Sequence, residues 1–207
     1  MSSIGVVLST DVHGLSKLAG SRRAFRLAEA RDAGVHPEML RRLAARGDLI
    51  RLSRGLYAFP GVEATDHYTL ATVASRIPGA VICQLSALRF HALGTQRPRV
   101  IWVAIDRSRA VPKPAALPLR VVRVSAGLLT FGIDTHRVEG VPLRVTSPAR
   151  TVADCFKFRN RVGTDVAVEA LREYVRTRKG TPDDLWQCAE RLRVLNVIRP
   201  YWEGLAT

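Results

Sequence analysis

Several kinds of residue and segment are scarce or missing in this chain. Only three cysteines occur, Cys83, Cys155 and Cys188, far apart in sequence. This pattern excludes a disulfide framework and a zinc site of paired cysteines, so we expect buried free thiols in a reducing cytoplasm. No apolar run approaches the roughly 20 residues of a membrane span. The apolar patch near the N-terminus lacks the basic lead-in of a secretory signal, and we expect a cytoplasmic protein without a membrane partner.

The short motifs of the common nucleotide-dependent enzymes are also missing. The chain contains no phosphate-binding Gly-x-x-x-x-Gly-Lys-Ser/Thr segment, no Gly-x-Gly-x-x-Gly dinucleotide motif and no protein-kinase signature. Its five histidines are scattered, and none has a second metal ligand at short spacing. We therefore predict no metal and no cofactor, and we favour a binding function over an enzymatic one.

Acidic residues are few compared with basic ones. The chain has 32 Lys and Arg against 18 Asp and Glu, a net charge of +14. Residues 66–207 alone carry 22 basic and 12 acidic residues, a net +10. Such an excess favours anionic partners, of which nucleic acid is the commonest and an acidic protein the next. The excess is not confined to the N-terminal part, so a single N-terminal anion site does not explain it.

The first sixty residues show the pattern of a winged helix-turn-helix. A helix over residues 26–33 is broken by Gly34, and a second helix over residues 36–46 begins at Pro37, whose missing N–H costs nothing in a first turn. Two short strands over residues 49–59 then form a hairpin. This order predicts a DNA-binding domain.

The second helix and the hairpin carry the basic residues that such a domain uses. A recognition helix in the major groove needs donors that reach base edges and phosphates, and a wing contacts phosphates or the minor groove. The alternative is an ordinary solvated helix face. The predicted DNA-binding residues are His36, Arg41, Arg42 and Arg46 on the helix and Arg51 and Arg54 on the wing.

The pattern of the rest of the chain predicts a mixed α/β (α+β) domain. We therefore expect two domains, residues 1–65 and residues 66–207, with a linker at 62–65. From Ser147 onward the periodicity is helical to the end, with Ser147 as an N-cap. Earlier segments predict a central strand, shorter strands and two helices. The helices are 66–76 and 84–93, the central strand is 100–105, and the shorter strands are 119–124, 128–131, 135–138 and 143–146.

Two groups in this second domain are candidate contact residues. Arg150 and Asp154 are four residues apart on one helix, which fits either a stabilising ion pair or a partner contact. The helix predicted over residues 166–179, ended by Gly180, carries Arg172, Arg176, Arg178 and Lys179 near its C-terminus. Cations at that end interact favourably with the helix dipole, which is one interpretation. The competing interpretation is a contact surface for an acidic partner or nucleic acid.

Several segments resemble the AbiEi family of antitoxins. In the first domain the matching residues are Arg46, Gly47 and Leu49, followed by Arg54, Gly55, Tyr57, Ala58 and Pro60. In the second they are Ser86, Ala87 and Leu88, then Thr146 to Thr151 and Asp154. These pieces occur in order over nearly the whole chain after about residue 20.

The resemblance implies a partner of a nucleotidyltransferase-fold toxin that represses its own promoter DNA through the winged helix. It also implies that the C-terminal domain is needed for neutralisation, and there we place Arg150, Asp154 and the basic helix end as toxin contacts. Two alternatives stay open. One is an enzyme that inactivates the toxin by covalent modification such as phosphorylation, and the other is a transcription factor with a ligand-sensing second domain.

Overall fold

The computed structural model describes residues 15–16, 18, 24–53, 55–59, 66–110, 118–138 and 141–205. Its internal contacts divide the chain into two units. Unit 1 comprises Met1–Arg76 and Arg137–Pro142, and unit 2 comprises Ile77–His136 and Leu143–Thr207. The linker predicted at 62–65 lies outside the described residues, and a border between independently folding domains at 65/66 stays a prediction.

Unit 1 is built from short elements around a three-stranded antiparallel sheet. Strand β1 was not predicted, because three residues are too few to show a periodicity. The sheet order is β1-β3-β2, and the register shifts between Arg51 and Ser53. The elements are β1 (Ala24–Arg26), α1 (Leu27–Asp32), α2 (Pro37–Arg46), β2 (Ile50–Ser53), β3 (Leu56–Ala58) and α3 (Asp66–Arg76).

An aromatic group holds this sheet to its helices. Phe25 is fully buried, and its ring centroid lies 6.2 Å from that of Tyr57 and 5.4 Å from that of Phe59. Leu40 of α2 is buried in the same cluster. Because rings at these distances interact favourably beyond simple burial, the hairpin and α2 are fixed to one core. The predicted winged helix-turn-helix is confirmed.

Unit 2 contains a mixed sheet covered by helices. Strands β5 and β6 run parallel, β4 is antiparallel to β5, and β4 is parallel to β8. The strand order is β6-β5-β4-β8-β7. The strands are β4 (Val81–Ile82), β5 (Ile101–Asp106), β6 (Leu119–Val124), β7 (Ile133–Val138) and β8 (Val141–Thr146), and the helices are α4 (Gln84–His91), α5 (Pro148–Lys157), α6 (Arg159–Val162), α7 (Thr164–Thr177), α8 (Pro182–Arg191) and α9 (Leu195–Glu203). The prediction of a mixed-sheet domain that ends in helices is confirmed.

Three sequence-based expectations in unit 2 need correction. The strand expected at 128–131 is a 3₁₀ turn over Ala126–Leu129, because a short apolar run does not distinguish a strand from a turn with partly buried apolar side chains. Strand β5 is interior but lies beside the edge strand, and the centre of the order is the two-residue strand β4. Helix α7 ends at Thr177 with Arg178 in the left-handed conformation (φ 50°), before the glycine expected to end it.

Helix α5 is the interior element of unit 2. All eight of its residues from Ala149 to Phe156 are buried, and α4, α7 and α8 pack around it. Ser147 caps its N-terminus by accepting a hydrogen bond from the backbone N–H of Arg150 at 3.2 Å, as predicted. An amphipathic stripe cannot describe a helix buried on every side, so its polar residues need partners inside the protein.

His91, at the end of α4, is a buried titratable group. Its Nε2 donates a hydrogen bond to the carbonyl oxygen of Thr146 at 2.7 Å. Burial lowers the pKa of His91, and the charges of His136 and Lys179 lower it further, while the Thr146 bond and Asp134 oppose the shift. The lowered pKa means that the folded protein holds His91 neutral where an unfolded chain would protonate it.

We predict that this histidine makes the protein less stable in mild acid. Since the folded pKa lies below the unfolded value near 6.5, its contribution is complete above about pH 6.5 and is lost as pH falls through the folded pKa. Thermal melts from about pH 7.5 to pH 5 should show a falling Tm, and His91→Gln, which keeps a donor for Thr146, should flatten the decline. The exposed Arg199→Gln, which does not titrate in this range, is the control and should keep the wild-type slope. An unchanged slope in His91→Gln would contradict the prediction.

Candidate nucleic-acid interface

The turn before α2 places this helix on the core of unit 1. Gly34 adopts a left-handed conformation with φ of 82°, and Val35 is buried in the turn. His36 is the N-cap, and its Nδ1 accepts the backbone N–H of Glu38 at 3.4 Å, with Pro37 in the first turn. At the other end Gly47 is left-handed (φ 83°) and terminates the helix.

Helix α2 has one buried and one exposed face. Leu40 is fully buried, while Met39, Leu43 and Ala44 are partly buried beside it. The opposite face holds four exposed residues at the spacing of adjacent helical turns. These are Glu38, Arg41, Arg42 and Ala45. With its apolar face fixed to the core, α2 presents a narrow, flat surface of the kind that enters a major groove.

The basic side chains of α2 differ in how readily they could bind an external anion. The Arg41 guanidinium lies 2.9 Å from the Glu38 carboxylate, and Arg46 lies 3.3 Å from that of Asp48. All four side chains are more than half exposed, so both ion pairs are weak and open to exchange with an external anion. Arg42 is exposed and has neither an ion pair nor a hydrogen bond from its side chain within the described residues. Arg42 is therefore the basic group most available to a ligand.

The hairpin adds one further described basic residue. Arg51 is exposed on β2, which is an edge strand of the sheet. The other arginine expected on the wing, Arg54, lies outside the described residues. Thus five of the six predicted DNA-binding residues are described and exposed, and four of them lie on or at the cap of α2. Their contact with DNA stays a prediction.

Two residues of this surface were not singled out from the sequence. Ala45 is exposed one helical turn after Arg41 and Arg42, and its small side chain permits close approach and can contact a thymine methyl group. Its spacing of three and four residues from these arginines was the available signal. Ile50 is 46% exposed on the edge strand. Alternation alone did not reveal its exposure, because the hairpin residues around it are also apolar.

Comparison with known proteins identifies this domain. Residues 15–60 match the family described as transcriptional regulator, AbiEi antitoxin. The N-terminal domain belongs to this AbiEi family. The match covers the described parts of α1, α2 and the hairpin, so the exposed face of α2 belongs to the domain of a transcriptional regulator. No curated protein matches the chain.

The whole chain also shares its fold with a solved structure, the RV2827C protein from Mycobacterium tuberculosis. The two are 18% identical and superpose with a TM-score of 0.55 over 91% of this chain and 76% of that chain. This likeness shows a shared fold, and we assign no role to any residue from it. Among the described residues no helix is long and apolar enough to cross a membrane.

The motif Thr-Ser-Pro-Ala-Arg-Thr, residues 146–151, forms an interior site in unit 2. Arg150 Nε lies 3.0 Å from Asp154 Oδ2, and the two side chains are only 3% and 6% exposed. Arg150 Nη1 also donates to the carbonyl oxygen of Phe131 at 2.9 Å. Burial raises the pKa of Asp154, and the guanidinium of Arg150 opposes this shift. Both residues are also candidate toxin contacts by sequence. Their burial leaves neither side chain exposed for direct contact with a partner and fits the ion-pair interpretation instead.

The basic end of α7 consists of residues in different situations. Arg176 is bound to Glu173 at 2.6 and 3.0 Å, and Lys179 donates to the carbonyl oxygen of His91. Arg172 and Arg178 are exposed and have no side-chain partner within the described residues. Val175 beside them is 39% exposed. Only part of the predicted basic surface is therefore free to meet an anionic partner.

Other candidate chemistry in unit 2 is limited. Burial raises the pKa of all three cysteine thiols, that of Cys188 to about 11, so none is a ready nucleophile at neutral pH. The described residues contain no group of three or more His, Cys, Asp or Glu that could hold a metal. A cavity of about 380 Å³ lies at the N-terminus of α5 and is lined by Phe131, Asp134, Ser147, Lys179, Asp184 and Gln187 among others.

We predict that the buried ion pair stabilises unit 2 only as a pair. Asp154→Ala leaves the Arg150 charge buried without its counterion and should cost about 3–5 kcal/mol of unfolding free energy. The apolar double variant Arg150→Met/Asp154→Leu should lose less than this single change, since it leaves no uncompensated charge. Glu190→Ala, on the exposed surface of α8, is the control and should cost well under ~1 kcal/mol. Urea unfolding measures all three; a single variant as stable as the control would contradict the prediction.

Proposed function

We propose that this cytoplasmic protein is an antitoxin that represses its own promoter and neutralises a cognate nucleotidyltransferase-type toxin. Residues 1–65 would bind the DNA and residues 66–207 would act on the toxin. The observation that carries the proposal is the exposed arginine face of α2 in a domain of the AbiEi family. The net charge of +14 supports it, because both promoter DNA and an acidic partner protein would relieve the charge repulsion.

Arg41 and Arg42, two of the exposed arginines of α2, should contribute unequally to DNA binding. Within the described residues Arg42 has no partner to give up, so its whole favourable interaction with a guanine edge or a phosphate would contribute to binding. Arg41 is paired with Glu38, and that carboxylate would also repel phosphate. The surface is therefore basic on the Arg42 side and partly neutralised on the Arg41 side. This uneven charge would orient the helix on the DNA as well as attract it to the DNA.

We predict that Arg42→Ala weakens promoter binding more than Arg41→Ala does. The loss should be about 1–3 kcal/mol if Arg42 contacts a base, or about one unit of the logarithmic salt slope if it contacts a phosphate. Glu38→Gln should strengthen binding, because it removes a negative charge and frees Arg41. Fluorescence anisotropy with the promoter fragment at several salt concentrations measures these effects. Arg199→Ala, an exposed change on α9, is the control; wild-type binding by Arg42→Ala at every salt concentration would refute the docking.

Neutralisation is proposed to use the free basic residues of α7. Arg172 and Arg178 are unpaired within the described residues, and the half-exposed Val175 lies in the same last turns of the helix. An acidic partner would gain charge pairing and an apolar contact together there. Arg176 is a poor site for a charge reversal, since a new carboxylate would face Glu173. Lys179 is held by a main-chain bond and contributes its charge without being free to move.

We predict that Arg172→Glu impairs rescue of cells expressing the toxin. The residue is exposed, so folding should be nearly unaffected, whereas like charges across an interface repel and slow association. Arg199→Glu has the same charge change on another exposed helix position and should rescue as well as wild type. Growth rescue, a thermal melt and promoter binding are measured together. Full rescue by Arg172→Glu would remove this surface from the proposal, and loss of promoter binding would assign it to DNA instead.

Two alternatives have different signatures. A trace of antitoxin that silences excess toxin and leaves a mass change on it would favour covalent modification, and a stoichiometric requirement would favour sequestration. A ligand-sensing second domain would use the cavity beside α5, whose volume of about 380 Å³ falls in the range of small-molecule sites. A neighbouring gene with a nucleotidyltransferase pattern favours the antitoxin function over this alternative.

A further inference from the structure

The strand β6 forms one edge of the sheet in unit 2. It pairs along its whole length with β5, from Ile101↔Leu119 to Asp106↔Val124, and it is the last strand in the order β6-β5-β4-β8-β7. Its outer N–H and C=O groups therefore have no strand partner within the described part of the chain. A complete, regularly paired edge of six residues is a template for a further strand.

One arginine on this strand is held in a fixed position. Arg120 is exposed, and its guanidinium carbon lies 4.7 Å from the centre of the Trp102 ring, which belongs to the neighbouring position on β5. Trp102 is itself buried, so the ring is a rigid platform. The guanidinium of Arg120 has no hydrogen-bond partner within the described residues. A stacked guanidinium loses little conformational freedom when it binds a carboxylate.

A second arginine is fixed at the other end of the strand. Arg123 Nη1 donates to the carbonyl oxygens of Arg107 and Arg109 at 2.8 and 3.0 Å, and its Nε and Nη2 have no partner within the part of the chain that the structure describes. Asp106, which is in register with the adjacent Val124, accepts hydrogen bonds from Ser108, and these bonds lower its pKa. No ion pair joins Asp106 to Arg123 within the described residues, so the guanidinium of Arg123 can still pair with an external carboxylate.

The positions of these arginines in the strand define what could bind. Residues 120 and 123 are separated by an odd number of positions, so their side chains lie on opposite faces of the sheet. A strand added outside β6 would run about 4.8 Å away and would have one guanidinium beside each of its faces. Acidic side chains on both faces of that strand would meet them, whereas acids on one face would meet only one.

We propose that the outer edge of β6 receives an extended acidic segment of a protein partner as a sixth strand of the sheet. Backbone hydrogen bonds would hold the segment, and carboxylates on its two faces would pair with Arg120 and Arg123. Nucleic acid could use the arginines but has no peptide groups to pair with the strand edge, so a protein segment fits the surface better. Only the identity of the natural partner rests on the proposed function: if this protein is an antitoxin, the segment would belong to the toxin.

The test uses the full chain and a labelled peptide of about ten residues. The probe peptide consists of Thr and Val with two Glu three positions apart. A second peptide of the same composition has the two Glu two positions apart, which puts both on one face. A third carries N-methyl groups on the amides of one edge, and a fourth on those of the other. We expect the second peptide to bind several-fold more weakly, and one N-methylated peptide to bind at least about tenfold more weakly because it loses backbone hydrogen bonds.

Variants of the protein test the arginines directly. Arg120→Gln/Arg123→Gln should weaken peptide binding about tenfold. Arg161→Gln/Arg199→Gln removes the same charge from exposed positions on other elements and should bind within about twofold of wild type, as a general field effect is small for screened charges. Arg120→Glu should prefer a peptide in which the Glu facing position 120 is replaced by Lys. A switch in preference from the Glu peptide to the Lys peptide tests the site even if Arg120→Gln/Arg123→Gln does not fold.

The outcomes separate this proposal from the antitoxin function. Equal binding of all N-methylated and unmodified peptides, with displacement by single-stranded DNA, would show a general anion surface and overturn the proposal. Toxin rescue unimpaired in a folded Arg120→Gln/Arg123→Gln variant would exclude the toxin as the occupant while leaving the antitoxin function intact. Peptide binding with the expected pattern, in a protein that fails to silence the toxin, would support the strand site and refute the proposed function.

Discussion

The guanidinium of Arg150 lies in the interior of unit 2, and much of the surrounding structure depends on satisfying its charge. Asp154, one turn later on α5, supplies the counterion at 3.0 Å, and the carbonyl oxygen of Phe131 accepts a further N–H. The chain must therefore pass close to α5 before β7, and Gly132 makes this possible. A Cβ there would lie 2.9 Å from Arg150 Cβ, and φ is +59°. A charge without these partners would be too costly to bury, so the turn and the helix are coupled.

The burial and pairing of the arginines divide them into groups that differ in their ability to bind an anion. Arg150 is buried and paired, Arg41 and Arg176 are exposed but paired, and Arg42 and Arg172 are exposed without a side-chain partner in the described residues. Arg120 is a further case, because an indole ring holds it and its donors stay open. A count of charges treats these residues alike. Their binding capacity differs because only an unpaired, exposed guanidinium offers its full interaction to an anion.

The two units use their scaffolds in different ways. In unit 1 a small core around Phe25 fixes one helix so that its opposite face is presented as a flat surface, and specificity would come from a few side chains on that face. In unit 2 the buried helix α5 organises the helices, while the edge strand β6 remains open. Promoter binding and partner binding can therefore be altered separately by substitutions, because the surfaces proposed for them lie on different elements.

Much of the architecture was determined by the sequence alone, since it depends on local rules. Gly34, Pro37 and Gly47 delimit α2, Ser147 caps α5, and the spacing of apolar residues identifies the winged helix and the terminal helices. The tertiary structure decided what local rules cannot. It assigned Arg150 and Asp154 to the interior although their i, i+4 spacing also fits a surface pair, because burial depends on elements distant in sequence. It likewise determined that β6 is an edge strand and that Trp102 supports Arg120, since strand order and register arise from long-range pairing that no single segment encodes.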